Sequence, residues 1–278
     1  MLGLLEGGIG LSETLRQDPQ VLIQLGLEPD LLDQLISTEG ALNRLGELPD
    51  DIQILTPDDE RYPIERIDLE LPLSPILYVA GNLHLLRGNA IAISGARSAP
   101  VEALRYVQRL TKVVADEGWN VVSGHAAGVD ETAHAGAIAA GGTTTIVAAE
   151  GLLNFRPKSG LNISDSDSFL IVSQFEPAER WSGYRAMERN TTIAALSDAV
   201  VVVAAGTKGG SWAQGNLCLK ANKPLLVPDV PPEVASGNRR LIELGAIPLD
   251  PKSPEDAIKN IASLSLGRTT MKQMKLLS

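Results

Sequence analysis

Arg97 stands at the end of an apolar run, Ala90–Ser94, inside the small-residue turn Gly95-Ala96-Arg97-Ser98. A guanidinium among such small side chains can hold two phosphate oxygens at once. Three other segments share this make-up: Ser123–Gly128, Gly206–Ser211 with Lys208 as a point charge, and Ser236-Gly237-Asn238-Arg239. Each follows an apolar segment. The candidate anion-binding residues are therefore Gly95, Arg97, Ser98, Ser123, Gly124, Gly128, Lys208, Gly210, Ser211 and Asn238, with Asp130 capping the helix that follows the second loop. A lone glycine loop serves an ordinary strand-to-helix turn equally well, and Lys208 taken alone reads as a solvated loop lysine.

Ser123, His125, Asp130 and His134 raise the question of catalysis. His134 falls one helical turn after Asp130, so the two can face each other. No acidic general base accompanies them, and the pairing reads as the fixing of a helix end. One cysteine, Cys218, and three scattered histidines assemble no metal-ligand set. The expectation is a protein without cofactor, metal or enzymatic activity.

The elements that must position these loops read as α/β. Short runs, apolar on both faces, lie at Ile76–Val79, Ala90–Ser94, Trp119–Val122, Thr144–Ala149, Phe169–Ser173, Val200–Ala204 and Pro224–Val227. Runs of that kind indicate a parallel sheet covered by helices. A helix over Val101–Glu117 is expected to bury Val101, Leu104, Val107, Leu110 and Val114; others are expected at Arg189–Leu196, Gln214–Ala221 and Arg239–Leu244. The fold class is a doubly wound, Rossmann-like, mostly parallel sheet, whose ligands bind at the carboxyl ends of its strands. In front of it, leucines at helical spacing over residues 11–46 predict a small helical N-terminal segment. The expected division is a helical unit over 1–55, a Rossmann-like body over 56–250 that opens with an extended linker at 56–75, and a short tail over 251–278.

Composition narrows the partners. The net charge is −10, but residues 1–70 carry 16 acidic and 4 basic residues against 18 and 20 in the remainder. The body therefore has room for a basic groove despite the acidic total. No apolar run approaches membrane-spanning length, and the N-terminus lacks a basic leader, so a cytoplasmic location without a membrane partner is expected.

Taken in order, the motifs resemble those of the DprA/Smf family, the DNA-processing proteins of natural transformation. The matching pieces run from Tyr62-Pro63 through Gly95-Ala96-Arg97-Ser98, Ser123-Gly124 with Gly128-Val129-Asp130, Ala133-His134, Arg189-Asn190, Gly210-Ser211 and Gly237-Asn238 to Gly245-Ala246. The resemblance implies a single-stranded DNA binder, usually dimeric, that delivers the strand to a RecA-type recombinase. It implies that Arg97 grips backbone phosphate, with the Ser123–Gly128 loop and Arg189-Asn190 lining the same pocket. The sequence departs from the family pattern at Ala205, where a glutamate is common, at Gln214-Gly215, and at Thr191, where a second arginine would follow Arg189-Asn190. A sensor that binds a nucleotide or nucleotide-derived signal in the same pocket is the alternative. The candidates for base stacking, Phe155, Trp181, Tyr184 and Trp212, read individually as core or loop packing.

Overall fold

A computed structural model describes residues 48–66, 70–157 and 167–261. The leucine-rich stretch at 11–46 and the end of the tail lie outside the described residues.

The apolar runs form nine strands: β1 (Gln53–Leu55), β2 (Leu77–Gly81), β3 (Ala90–Gly95), β4 (Asn120–Ser123), β5 (Thr143–Val147), β6 (Phe169–Ser173), β7 (Ala199–Ala204), β8 (Leu225–Pro228) and β9 (Ile247–Leu249). They make one sheet in the order β1-β2-β6-β5-β4-β3-β7-β8-β9. Strands β3 to β9 are parallel, and β1 and β2 close one edge antiparallel. Helices are distributed along the described chain: α1 (Val101–Asp116), α2 (Val129–Ala139), α3 (Gly183–Glu188), α4 (Asn190–Ala195), α5 (Gly210–Lys220) and α6 (Ser236–Glu243).

Alternation along each strand sorts side chains to two faces. Ile91, Ile93, Val121, Val201 and Val203 meet Val107, Leu110 and Val114 of α1 and Val129, Ala133 and Ala137 of α2. Ala90, Ala92, Val122, Val200 and Val202 meet Ile193 and Ala194 of α4, Cys218 of α5 and Leu241 of α6. Both faces are dry, which is why the strands read as unbroken apolar runs.

Three details differ from the sequence expectation. Val101 is 57% exposed, because helical side chains lean toward the N-terminus and a first-turn residue overhangs the helix end. Residues 53–55, inside the segment expected to be helical, add edge strand β1 to the sheet. The presumed linker is packed: Tyr62, Leu71 and Leu73 enter the core, and Tyr62 Oη donates to Ser74 O at 2.6 Å.

The order of strands reverses between β3 and β7, which are neighbours although β4 to β6 intervene in sequence. Their ladder slips there: Ser94 pairs with Val202 and Gly95 with Ala204, leaving Val203 as the extra residue of a bulge.

Candidate functional site

Loops leaving neighbouring parallel strands diverge where the order reverses, so a crevice opens at their carboxyl ends. Here it lies between the turn after β3, the loop after β4 and the loop after β7. One cavity of about 390 Å³ is lined by Gly95, Arg97, Asp130, Arg189, Asn190, Lys208, Gly210 and Ser211. A second, of about 310 Å³, shares Arg97, Ala126, Ala186 and Arg189 with the first and adds Gly124, His125, Arg156 and Trp181. Eight of the sequence candidates thus meet around one hollow, although they come from separate segments of the chain.

Close contact between the loops depends on two glycines. Gly128 has φ +77°, and a Cβ there would stand 2.5 Å from the carbonyl oxygens of Ala96 and Arg97. A Cβ at Gly124 would collide with the guanidinium of Arg189. The backbones can therefore touch, and Val129 N–H donates to Ala96 O at 3.3 Å.

Beneath the cavity floor lies a buried frame. Ser123 Oγ donates to Ile93 O at 2.6 Å, tying β4 to β3. Asp130, the second residue of α2, reaches back to accept from Ala126 N–H at 3.2 Å. Arg189 is 6% exposed; its Nη1 donates to Gly124 O and, at 2.6 Å, to Val147 O. It thereby clasps the ends of β4 and β5. Burial pushes the Asp130 carboxyl up, against the opposing pull of the Arg189 charge and the N–H donors. Burial likewise pushes Arg189 down, opposed by Asp130 and Glu150 and reinforced by Arg97. The guanidinium keeps its charge. Asn190 Nδ2 donates to Gly210 O at 3.4 Å, and Gln214 Nε2 donates to Asn190 O at 3.2 Å. Gln214 thus fixes the joint between α4 and α5.

Above that frame the exposed groups face solvent. Arg97, Ser98, Lys208 and Gly210 are exposed, and Ser211 is half-buried at the start of α5. Among the described residues, neither Arg97 nor Lys208 forms an ion pair. The Arg97 guanidinium carbon lies 5.8 Å from the centre of the Trp181 ring. With the N-terminus of α5 alongside, the crevice offers two free cations and a positive helix end to an anion.

Two candidates lie elsewhere. Ser98 lines a separate hollow of about 250 Å³ with Gly206, Val234 and Ser236. Asn238 is fully buried, its Oδ1 accepting from Ala205 N–H at 2.9 Å while Nδ2 donates to Val203 O at 2.9 Å and Pro228 O at 3.1 Å. It thereby ties α6 to the ends of β7 and β8. Arg156 lines the crevice without any periodic or motif signal to mark it in the sequence, and Trp181, one of the four aromatic candidates, lines it too.

No catalytic relay is assembled from the histidines. His134 is buried, its Nδ1 2.7 Å from Thr144 Oγ1, and His125, at φ 60°, packs its ring 5.1 Å from that of Phe155. Ser123 is committed to a carbonyl. Among the described residues, no group of three His, Cys, Asp or Glu side chains is placed to hold a metal ion, and no helix is long and apolar enough to cross a membrane.

Fold and crevice together define an α/β sheet protein with an anion-ready cleft at its switch point. The chain belongs to the DNA recombination-mediator protein A family, whose model matches residues 53–262. It is 31% identical to DNA processing protein DprA of Bacillus subtilis over 62% of its own length and 59% of the relative's. It is 29% identical to protein Smf of Synechocystis over 74% and 57%, respectively. The chain therefore spans somewhat over half the length of these curated relatives. Its fold matches the crystal structure of DprA from Streptococcus pneumoniae with a TM-score of 0.73, covering 92% of this chain and 91% of that one at 23% identity. It also matches DNA processing protein A of Helicobacter pylori, described for its single-stranded DNA binding mode, with a TM-score of 0.64 over 75% and 96% at 24% identity.

Proposed function

We propose that the chain binds single-stranded DNA at the β3/β7 crevice and acts as a recombination mediator that presents the strand to a RecA-type recombinase. The single observation that carries this reading is Arg97: exposed, without a carboxylate partner, and set at the switch point of a family member. Lys208, Gly210 and Ser211 act with it on the phosphates. Gly95, Ser123, Gly124, Gly128, Asp130, Arg189, Asn190 and Asn238 form the frame that holds those groups in place. The same reading takes residues 56–250 as a doubly wound, Rossmann-like body behind a helical unit at 1–55, with a short tail after 250, working as a cytoplasmic homodimer.

Such a site neutralises backbone charge, so binding weakens with salt, by about 0.7 in log–log slope per phosphate contacted on a single strand. The test is an anisotropy titration of labelled single-stranded and duplex oligonucleotides at two salt concentrations, with Arg97→Ala beside the parent protein. Preference for the single strand, a negative salt slope and markedly weaker binding by Arg97→Ala are expected. Equal binding by Arg97→Ala removes this crevice as the site. Tight binding of a mononucleotide with no dependence on DNA length would favour a nucleotide sensor instead.

A further inference from the structure

The chain holds three Trp, four Tyr and three Phe, and most are hidden. Tyr62, Tyr78, Tyr106, Phe155, Phe169 and Phe175 are buried; Trp119 and Trp212 are half-buried against the two main cores. Among the described residues, Trp181 and Tyr184 are the exposed aromatics, at 54% and 77%. Both stand in the segment that walls the crevice, beside its free arginine.

That segment is anchored on both sides of Trp181. Gly151 N–H donates to Glu179 O at 2.9 Å. Arg185 pairs with the Glu179 carboxylate, donates to Arg180 O at 2.9 Å and sets its guanidinium carbon 5.8 Å from the Phe175 ring centre. Ser182, the N-cap of α3, accepts from Arg185 N–H at 3.1 Å. A scaffold so fixed presents the indole to solvent instead of folding it away. Trp181 lines the second cavity with Arg97, Arg156 and the buried Arg189, so the ring shares one hollow with three guanidinium groups.

We propose that Trp181 is a base-stacking residue: the base next to the phosphate held by Arg97 lies on the indole, and Tyr184 extends the platform outward. The inference rests on the single-strand reading and adds a second kind of recognition to it. Cations alone bind any polyanion. An aromatic plane beside them accepts a base of any sequence, provided the base is unpaired and its π-face free. The pairing of Arg97 with Trp181 places cation and plane within one nucleotide of each other and pre-orients both for the strand.

The test compares a thymidine oligonucleotide with an abasic oligonucleotide of equal length, which carries the same phosphates without bases. The parent protein is expected to prefer the first by about tenfold or more. Trp181→Ala loses that preference while its thermal midpoint stays unchanged, and Trp181→Phe keeps most of it. Binding of the thymidine strand quenches tryptophan fluorescence in the parent protein, and the quench disappears in Trp181→Phe. Equal affinity of the parent for the two oligonucleotides, or a preference that survives in Trp181→Ala, overturns the stacking role and leaves the single-strand reading standing. If the parent binds neither, both fall together.

Discussion

The guanidinium of Arg189 occupies the space that a side chain at Gly124 would need: a Cβ there would stand 2.0 Å from Arg189 Nη1. An arginine from the start of α4 thus passes through a gap in the loop after β4 to reach the carbonyls of Gly124 and Val147. Gly124→Ala is expected to expel it and to lower stability by about 2–4 kcal/mol, the range for breaking a buried charged network. Gly88→Ala, where nothing lies within 4 Å of the added carbon, is expected to change stability by no more than about 0.5 kcal/mol. Urea unfolding of the two variants makes the comparison.

Asp130 and Arg189 are buried charges that offset one another, so removing either alone leaves the other uncompensated. Arg189→Gln is expected to cost about 3–5 kcal/mol, and adding Asp130→Asn to restore part of it. A double-mutant cycle in denaturant measures the coupling.

The pH dependence has a definite sign. Burial raises the Asp130 carboxyl in the fold above its ordinary value of 3.8. Between that value and the raised one, the native state binds more protons than the unfolded state, so this group's contribution to stability falls as pH rises through the window. Asp130→Asn removes that falling limb. Subtracting the variant's stability curve from the parent's across the acid range is expected to isolate it; a rising difference would reverse the assignment.

Arg97 tests geometry against charge. Arg97→Lys is expected to keep the salt slope but lose affinity several-fold, because an ammonium cannot hold two phosphate oxygens in a fork. Arg97→Ala is expected to lose about 0.7 of slope as well. Neither shifts the thermal midpoint, since Arg97 is exposed and makes no ion pair. Anisotropy at several salt concentrations separates the two variants.

Asn238 is expected to behave in the opposite way. Asn238→Asp can still accept from Ala205 N–H but cannot donate to Val203 O and Pro228 O, and two buried carbonyls facing a carboxylate should cost about 2–4 kcal/mol. Its salt slope, measured on the protein that remains folded, is expected to match the parent's.

Arg97 was legible in the sequence because a short apolar strand, a glycine turn and a cation together carry a mechanism. Six of the eight candidates that share the 390 Å³ cavity were legible for the same reason: in a parallel sheet, every loop after a strand arrives at the same end; Arg189 and Asn190 were marked only by the order of the family motifs. Sequence does not reveal which of these side chains turn inward. Asp130 reads as a helix cap and Arg189 as the start of a helix, and neither role reveals that both side chains are buried. An amide such as Asn238 in a glycine-rich loop has the same donors and acceptors for a backbone as for a ligand; only the packing of α6 against the ends of β7 and β8 decides which it meets. Trp181 was one of four stacking candidates, and nothing in its spacing set it apart from the buried Phe155, because its exposure is set by the anchoring of Glu179 and Arg185.

The one-residue slip between β3 and β7 makes the cleft a feature of the main chain. Through Ser94 and Val202 the two halves of the sheet pair rung by rung; beyond the slip only Gly95 and Ala204 pair. The halves behave like the covers of a book bound at the spine and left ajar at the fore-edge. The backbone pairing thus sets the opening at that edge, while the side chains of the facing loops, Arg97 and Lys208 among them, set its charge.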